Sequence, residues 1–492
     1  MTLRRSAIPA AMMLLVAWGT ACSPERIVDN APLPPDVADP GLTKTPAGAV
    51  AAYHGTLSLF NSAFAANVVN GLTQGSFVVA SGVISDELQD GSVGEPISVF
   101  TARTPLDSRV APECPYGVPT TTCNEDYYGV VYSALQGVRA NASEARGLLT
   151  HYAPDSLRAL TGHLYALTAY TETFLADLYC SGVPLSTIDF EGNYTLKPGS
   201  STDEVYQHAL LFFDSALTLA ADSERIMNLA RVGKGRVLLD LGQYAAAAQA
   251  VAEVPNDFAY REFYTATSAG GTSTPALLNF AYYQAGSRWE ITVADTEGHN
   301  GLDYRSSRDP RTASTALATK NGYGVTLYHP DKYATSGVTP VVVASGIEAR
   351  LIEAEAALNA GDASWLDKLN ALRTDGTFDT QPSDTNPAVT DTLWHAGIGG
   401  VAGLRPLGDP STPDARVDLL FRERAFWLFL TGHRQGDLRR LVRNYGRVAD
   451  AVYPTGRYAG GSGSYGSDVT VPIPARERQG NPLFTGCLNR GA

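Results

Sequence analysis

The chain has 492 residues, 44% of them apolar and 18% charged, with a formal net charge of −13. That is ample material for a buried core and fits one large domain or two to three ordinary ones. The acidic balance speaks against a nucleic-acid partner, which needs basic surface to displace counterions, and against electrostatic docking on anionic lipid.

Residues 1–21 read as a secretory signal. Arg4 and Arg5 form a short positive region, and Ala7 to Trp18 an apolar run broken by Pro9. The small residues Gly19, Thr20 and Ala21 then lead directly into Cys22. Such a core is too short to span a bilayer, and small residues fit a peptidase pocket. A cysteine at this place points to bacterial lipoprotein processing, so Cys22 is the expected lipidation site. Gly19 stands where leucine is usual, and an ordinary signal peptide is the alternative. Without Arg4 and Arg5 the net charge becomes −15. Residues 22–46 carry six prolines, mixed charge and no apolar period, the composition of an extended tether. No later stretch approaches about 18 uninterrupted apolar residues.

Residues 47–492 are expected to form one domain. Apolar residues recur at steps of three and four in Ala47–Asn70 (Val50, Tyr53, Leu57, Phe60, Phe64), in Asp126–Thr150, and again from Leu157 to Leu178. Each stripe predicts an amphipathic helix of six or seven turns. Ser201 and Glu204 predict a capping box opening a helix over Val205–Ala220. Further helices are expected over Met227–Leu241, Tyr244–Val254, Val343–Asn359, Ala363–Arg373 and Val417–Tyr445. The segments LGQYAAAAQAV and LNAGDASWLDKLNALR have the glycine turn and close-packing alanines of tetratricopeptide-type helix pairs. The scaffold therefore falls at about 47–70, 126–255, 343–373 and 417–445. Long irregular stretches at about 71–125, 256–340 and 374–415 lie between, with strand-like pieces SFVVASGVI and WEITVAD. Loops of that length in an ordered protein are commonly functional.

With Cys22 acylated, four cysteines remain, enough for two disulfides whose connectivity the spacing leaves open. Cys114 with Cys123 is favoured because it closes a short loop, leaving Cys180 with Cys487.

Catalytic and metal motifs are scarce. No two histidines have metal-ligand spacing on a helix, and H-E-x-x-H, Walker and G-x-S-x-G patterns are absent. No metal or cofactor is expected. The G-x-G-x-x-G at Gly461, Gly463 and Gly466 lacks the flanking strand and helix of a nucleotide site. Glu348, Glu355 and Asp362 repeat every seven residues and are taken as a solvated helix face. The cluster Arg422, Glu423, Arg424, Arg434, Asp437, Arg439 and Arg440 beside AFWLFL is expected to pair charges across helices around a buried stripe. Aromatic residues beside acids are how proteins hold sugars. On residue type and region, Tyr282, Tyr283, Trp289, Tyr304 and Asp303 are the candidate ligand residues, against the alternative that they pack the loops.

FRERAFWLFLTGHRQGDLRR, from Phe421 to Arg440, resembles the signature segment of the SusD/RagB family of outer-membrane lipoproteins. Gly432, His433, Arg434, Asp437, Leu438 and Arg439 stand in matching places; Gln435 and Gly436 depart from the usual aromatic pair. LRALTGHLYALTAYTETFLADLYCSGVPL, DEVYQHALLFFDSALTLA, NLARVGKGRVLLDLGQY, the DPR at 309–311, the KY at 332–333, EARLIEAEAALNAGD and VPIPARERQGNPLF follow in the family's order, over roughly Ala47 to Phe484. The resemblance implies a mainly α fold, with tetratricopeptide-like helix pairs on one side and long irregular loops with a few short strands on the other. It implies a lipid-anchored protein on the exterior of the outer membrane. Such a protein binds a nutrient, in most cases an oligosaccharide, and passes it to a SusC-like TonB-dependent transporter without cleaving it. Two other classes stay open. A surface glycoside hydrolase would need two carboxylates roughly 5–10 Å apart across a cleft, with Asp295, Glu297 and Asp303 as candidates. A helical-repeat adaptor would not require the long aromatic loops.

Overall fold

The computed structural model of the protein describes residues 43–68, 76–90, 125–264, 277–279, 291–318, 320, 326–333, 337–374, 404–457 and 464–492. Most of these residues are helical, and the long helices follow the apolar stripes. Helix α1 (Pro46–Ala65) opens where Thr45 Oγ1 accepts the Gly48 N–H at 3.0 Å, with Pro46 in a first-turn place that needs no donor. Helix α2 (Phe77–Ile84) is a short rod buried on every side. The long helices α3 (Glu125–Tyr152) and α4 (Arg158–Leu178) follow. Helix α5 (Thr202–Leu219) begins with the expected capping box: Ser201 Oγ accepts the Glu204 N–H at 3.2 Å, and Glu204 Oε2 accepts the Ser201 N–H at 2.7 Å.

Two helix pairs close through the same turn. Helix α6 (Glu224–Asp240) passes to α7 (Tyr244–Val251) through Gly242, and α8 (Gly346–Asn359) to α9 (Ser364–Thr374) through Gly361. These glycines hold φ +70° and +71°; the Gln243 N–H then reaches the Leu238 carbonyl at 2.8 Å, and the Asp362 N–H the Ala357 carbonyl at 2.9 Å. A left-handed residue followed by this closure is the Schellman reversal, which is why glycine stands at both places. Each helix packs on the next in the series: α3 on α1, then α4 on α3, and so on through α9 on α8. The apolar stripes meet between them, with Phe60, Phe64 and Phe77 ringing Phe174 at centroid distances of 6.2, 5.5 and 4.1 Å.

Strands are short and occur as antiparallel pairs, among them Leu88–Asp90 with Ile291–Val293, Ala259–Glu262 with Val341–Ser345, and Ser314–Ala316 with Tyr328–Pro330. The chain end is tied to the end of α4. Cys180 and Cys487 form a disulfide with Cα atoms 5.8 Å apart, the Cys180 N–H donates to the Val471 carbonyl, and the Leu488 N–H to that of Ser181. Cys22, Cys114 and Cys123 lie outside the described residues, as does everything before Thr43. No helix among the described residues is long and apolar enough to cross a membrane.

Four expectations need correction. SFVVASGVI is helix α2, not a strand; all eight of its helical residues are buried, and an apolar run enclosed on every side carries no period to distinguish the two. The helix expected from Val343 begins at Gly346, because Val341–Ser345 pairs as a strand and Ser345 Oγ caps the helix on the Glu348 N–H. The single helix expected over Val417–Tyr445 is two, α10 (Pro413–Trp427) and α11 (Arg434–Arg443), parted by left-handed residues Leu430 (φ 53°) and Gly432 (φ 81°). Glu348 and Glu355 are not on a solvated face. Both are fully buried and paired with arginine, while Asp362 is exposed at the α8–α9 turn.

Candidate functional site

The alternating charges of α10 and α11 turn inward and form a hub of ion pairs. Asp437 accepts two hydrogen bonds from Arg424 (2.9 and 2.8 Å) and one from Arg440 (2.8 Å). Arg440 also grips Glu355 through two bonds (2.7 and 3.0 Å) and Asp240 at 2.7 Å. From α6, Arg236 takes Glu348 bidentately at 2.7 and 2.9 Å. These groups are at most 6% exposed, so each charge survives burial only because planar guanidinium–carboxylate geometry replaces its water. Burial works against ionisation at Asp437, yet Arg424 and Arg440 hold its carboxyl well below the usual range. Glu348 is likewise opposed by burial and lowered to about 2, chiefly by the Arg236 charge.

His433 fits the hub as a neutral ring. Thr431 Oγ1 donates to the Leu428 carbonyl, so it accepts from His433 Nδ1 at 2.8 Å. That leaves Nε2 to accept from Arg236 at 2.7 Å. Burial and the Arg236 charge lower the imidazole pKa and so favour the neutral ring, against the opposing pull of Glu348, whose Oε2 lies 3.2 Å from Nε2. Glu87 is the exception to the pairing. Burial pushes its carboxyl up to about 8, against a single backbone bond from Leu430 at 2.8 Å.

Further buried ion pairs clamp the irregular side onto the helices. Arg434 binds Asp86 through two bonds (2.6 and 3.0 Å), and Asp86 in turn accepts the Leu302 N–H at 2.9 Å and the Tyr304 hydroxyl at 3.3 Å. Arg311 is held by Glu423 at 2.7 and 3.1 Å and by Asp309 at 2.7 Å; Arg373 adds a third bond to Glu423 at 2.7 Å. Residues 302–312 thus stand on buried ion pairs at both ends. Their outer face carries Asp303 paired with Arg422 at 2.5 Å, Arg305 stacked on Tyr328, and the exposed Ser306 and Arg308.

Of the expected ligand residues, Asp303 lies on this face, 37% exposed, its carboxyl held low by the Arg422 hydrogen bond. Tyr304 does not. Its ring is fully buried between Phe426 and Phe429, at centroid distances of 5.5 and 5.0 Å, and offers no surface to a ligand. Tyr282, Tyr283 and Trp289 lie outside the described residues. A small cavity of ≈ 50 Å³ lies elsewhere, lined by Phe258, Lys332, Trp427 and His433 among others; neither Asp303 nor Tyr304 reaches it. Asp86, Arg305 and Tyr328 complete the outer face and its support. Tyr328 is one of several aromatics in the stretch 256–340, whereas Asp86 and Arg305 carry no pattern that sets them apart in sequence. Among the described residues no group of three or more His, Cys, Asp or Glu side chains could hold a metal.

These features define a class: stacked helix pairs whose arginine-rich C-terminal helices clamp an irregular side through buried ion pairs. Solved structures of similar fold give it a name. A SusD superfamily protein from Bacteroides thetaiotaomicron aligns over 90% of this chain and 99% of its own, at TM-score 0.59 and 14% identity. A SusD superfamily protein from Bacteroides vulgatus aligns over 91% and 100%, at 0.57 and 16% identity. Surface glycan-binding protein A from Bacteroides uniformis aligns over 90% and 99%, at 0.57 and 12% identity. No family model and no curated protein matches the chain by sequence. The chain has the SusD-like fold.

Proposed function

We propose that this protein captures an oligosaccharide at the cell surface and passes it, uncleaved, to a SusC-like TonB-dependent transporter in the outer membrane. A lipid on Cys22 anchors it there, facing the exterior. The observation that carries this reading is the SusD-like fold itself, shared along nearly the full length of a protein whose name records surface glycan binding. The rigidly held face over 302–312 supports it, since a binding surface backed by buried ion pairs loses little order when ligand arrives.

Hydrolysis finds no support in the three acids that sequence offered. Asp295 caps the Arg305 and Ser306 amides at 2.9 Å, Glu297 accepts the Tyr465 hydroxyl at 2.6 Å inside the protein, and Asp303 is paired with Arg422. A proton donor and a nucleophile across a cleft need two uncommitted carboxyls. The test is a binding screen of the soluble chain, begun at Thr43, against oligosaccharide and peptide panels, with reducing ends counted afterwards. Saturable glycan binding with no new reducing ends is expected. Release of reducing ends would favour the hydrolase, and binding to peptides alone would remove the glycan assignment. In cells, Cys22→Ser is expected to move the protein from the outer-membrane fraction to the soluble one.

A further inference from the structure

The turn 303–308 carries two arginines that no acid among the described residues pairs with. The Arg305 guanidinium carbon lies 3.8 Å from the Tyr328 ring centroid, so the tyrosine backs the guanidinium. Its Nε is shielded from solvent and has no hydrogen-bond partner. Three residues on, Arg308 is exposed and holds a left-handed backbone at φ 56°. That conformation is costly for an arginine and is kept by the Arg308 N–H bond to the Arg305 carbonyl (3.2 Å) and the Ser307 N–H bond to that of Asp303 (2.9 Å). Of the acids that flank the turn, two are paired with other arginines and the third is engaged by amides and a hydroxyl. Asp295 Oδ1 takes the Arg305 and Ser306 amides and the Ser306 hydroxyl; Asp303 is neutralised by Arg422; Asp309 binds Arg311. Neither Arg305 nor Arg308 makes a salt bridge among the described residues, on a chain whose net charge is −13.

We propose that this turn binds the oxyanion, carboxylate or sulfate, of an acidic oligosaccharide, which makes the cargo an anionic rather than a neutral glycan. The inference rests on the glycan-binding reading above and narrows it. A guanidinium lying against an aromatic ring has its N–H groups held in one plane, and with Nε shielded it is the two Nη groups that can take a planar carboxylate or a sulfate face with parallel bonds. Arg308 adds a second cation from the same turn, and Ser306 places an exposed hydroxyl between them. Tyr328 acts as backing and need not touch sugar.

Titration of the chain begun at Thr43 against oligogalacturonate, sulfated carrageenan oligosaccharide and neutral malto- and cello-oligosaccharides tests this. At least one anionic probe is expected to bind, more weakly as salt is raised, because both partners are charged. Loss of one charge-assisted contact in Arg305→Gln should weaken that binding about ten- to a hundred-fold. Arg308→Gln, at an exposed site that folding does not need, should weaken it to a lesser degree and flatten the salt dependence. Preference for the carboxylate or the sulfate probe identifies the oxyanion. Binding confined to neutral glycans, or unchanged affinity in both variants, overturns the inference and leaves the glycan-binding reading standing. Binding to no glycan at all removes both.

Discussion

The joint between helix and loop sides predicts a large and specific cost for Asp86→Asn. Asp86 is fully buried and accepts four hydrogen bonds: two from Arg434, one from the Leu302 amide and one from Tyr304. The substitution replaces one acceptor oxygen with an NH2 that faces N–H groups, and it strands the Arg434 charge, itself 5% exposed, without its carboxylate. Removing one partner of a buried ion pair costs about 3–5 kcal/mol, far more than a surface pair is worth. Chemical denaturation of the chain begun at Thr43 measures that loss. Hydrogen exchange should show protection falling over 302–312, where the amide of Leu302 and the ring of Tyr304 lose their anchor. Adding Arg434→Met removes the stranded charge, so the double variant should recover more than half of the loss. A cost below about 1 kcal/mol, or costs that simply add in the double variant, would refute the claim that this pair bolts the two sides together.

Three further outcomes follow from the same structure. Glu87 has a folded pKa of about 8, raised by burial from an ordinary 4.5. The folded state therefore holds a proton that the unfolded state has lost, and this contribution to stability, full below about pH 4.5, disappears as pH rises to 8. Glu87→Gln should raise the melting temperature over wild type by more at pH 8 than at pH 5; equal differences at both would show that Glu87 does not titrate in that window. The Cys180–Cys487 disulfide should stabilise by about 2–5 kcal/mol, so reductant is expected to lower the melting temperature of wild type by more than that of Cys180→Ala/Cys487→Ala. Ser201→Ala opens the capping box at α5 and should cost about 1 kcal/mol in denaturant unfolding, with Glu204→Ala adding little once the serine is gone.

Much of the helical side was legible because its signals are local. The stripes from Val50 to Phe64 and from Leu157 to Leu178, the box at Ser201 and Glu204, and the glycines at 242 and 361 each act within one or two turns of chain. Resemblance in the segment Phe421–Arg440 named the fold, and the charges there pair across helices as their alternation suggested. What escaped depends on partners far away in sequence. Glu348 looks like any exposed helical acid until Arg236, 112 residues earlier, is brought against it. Helix α2 read as a strand because burial on every side erases the difference between periods of 2 and 3.6. Tyr304 has the residue type of a sugar platform, yet Phe426 and Phe429 from α10 and the turn after it enclose its ring. Arg305 shows the opposite case: nothing in its neighbours marks it, and only the ring of Tyr328 and the spent acids around it give it a role.

The most direct test of the proposed function is hydrogen exchange of the chain begun at Thr43, with and without a saturating oligosaccharide identified in the binding screen. Ligand should add protection over 303–308 and 326–330 and leave α5, α6 and α7 unchanged. Protection confined to the helix pairs, or no change anywhere under saturation, would contradict the assignment of the clamped irregular side as the glycan-binding face.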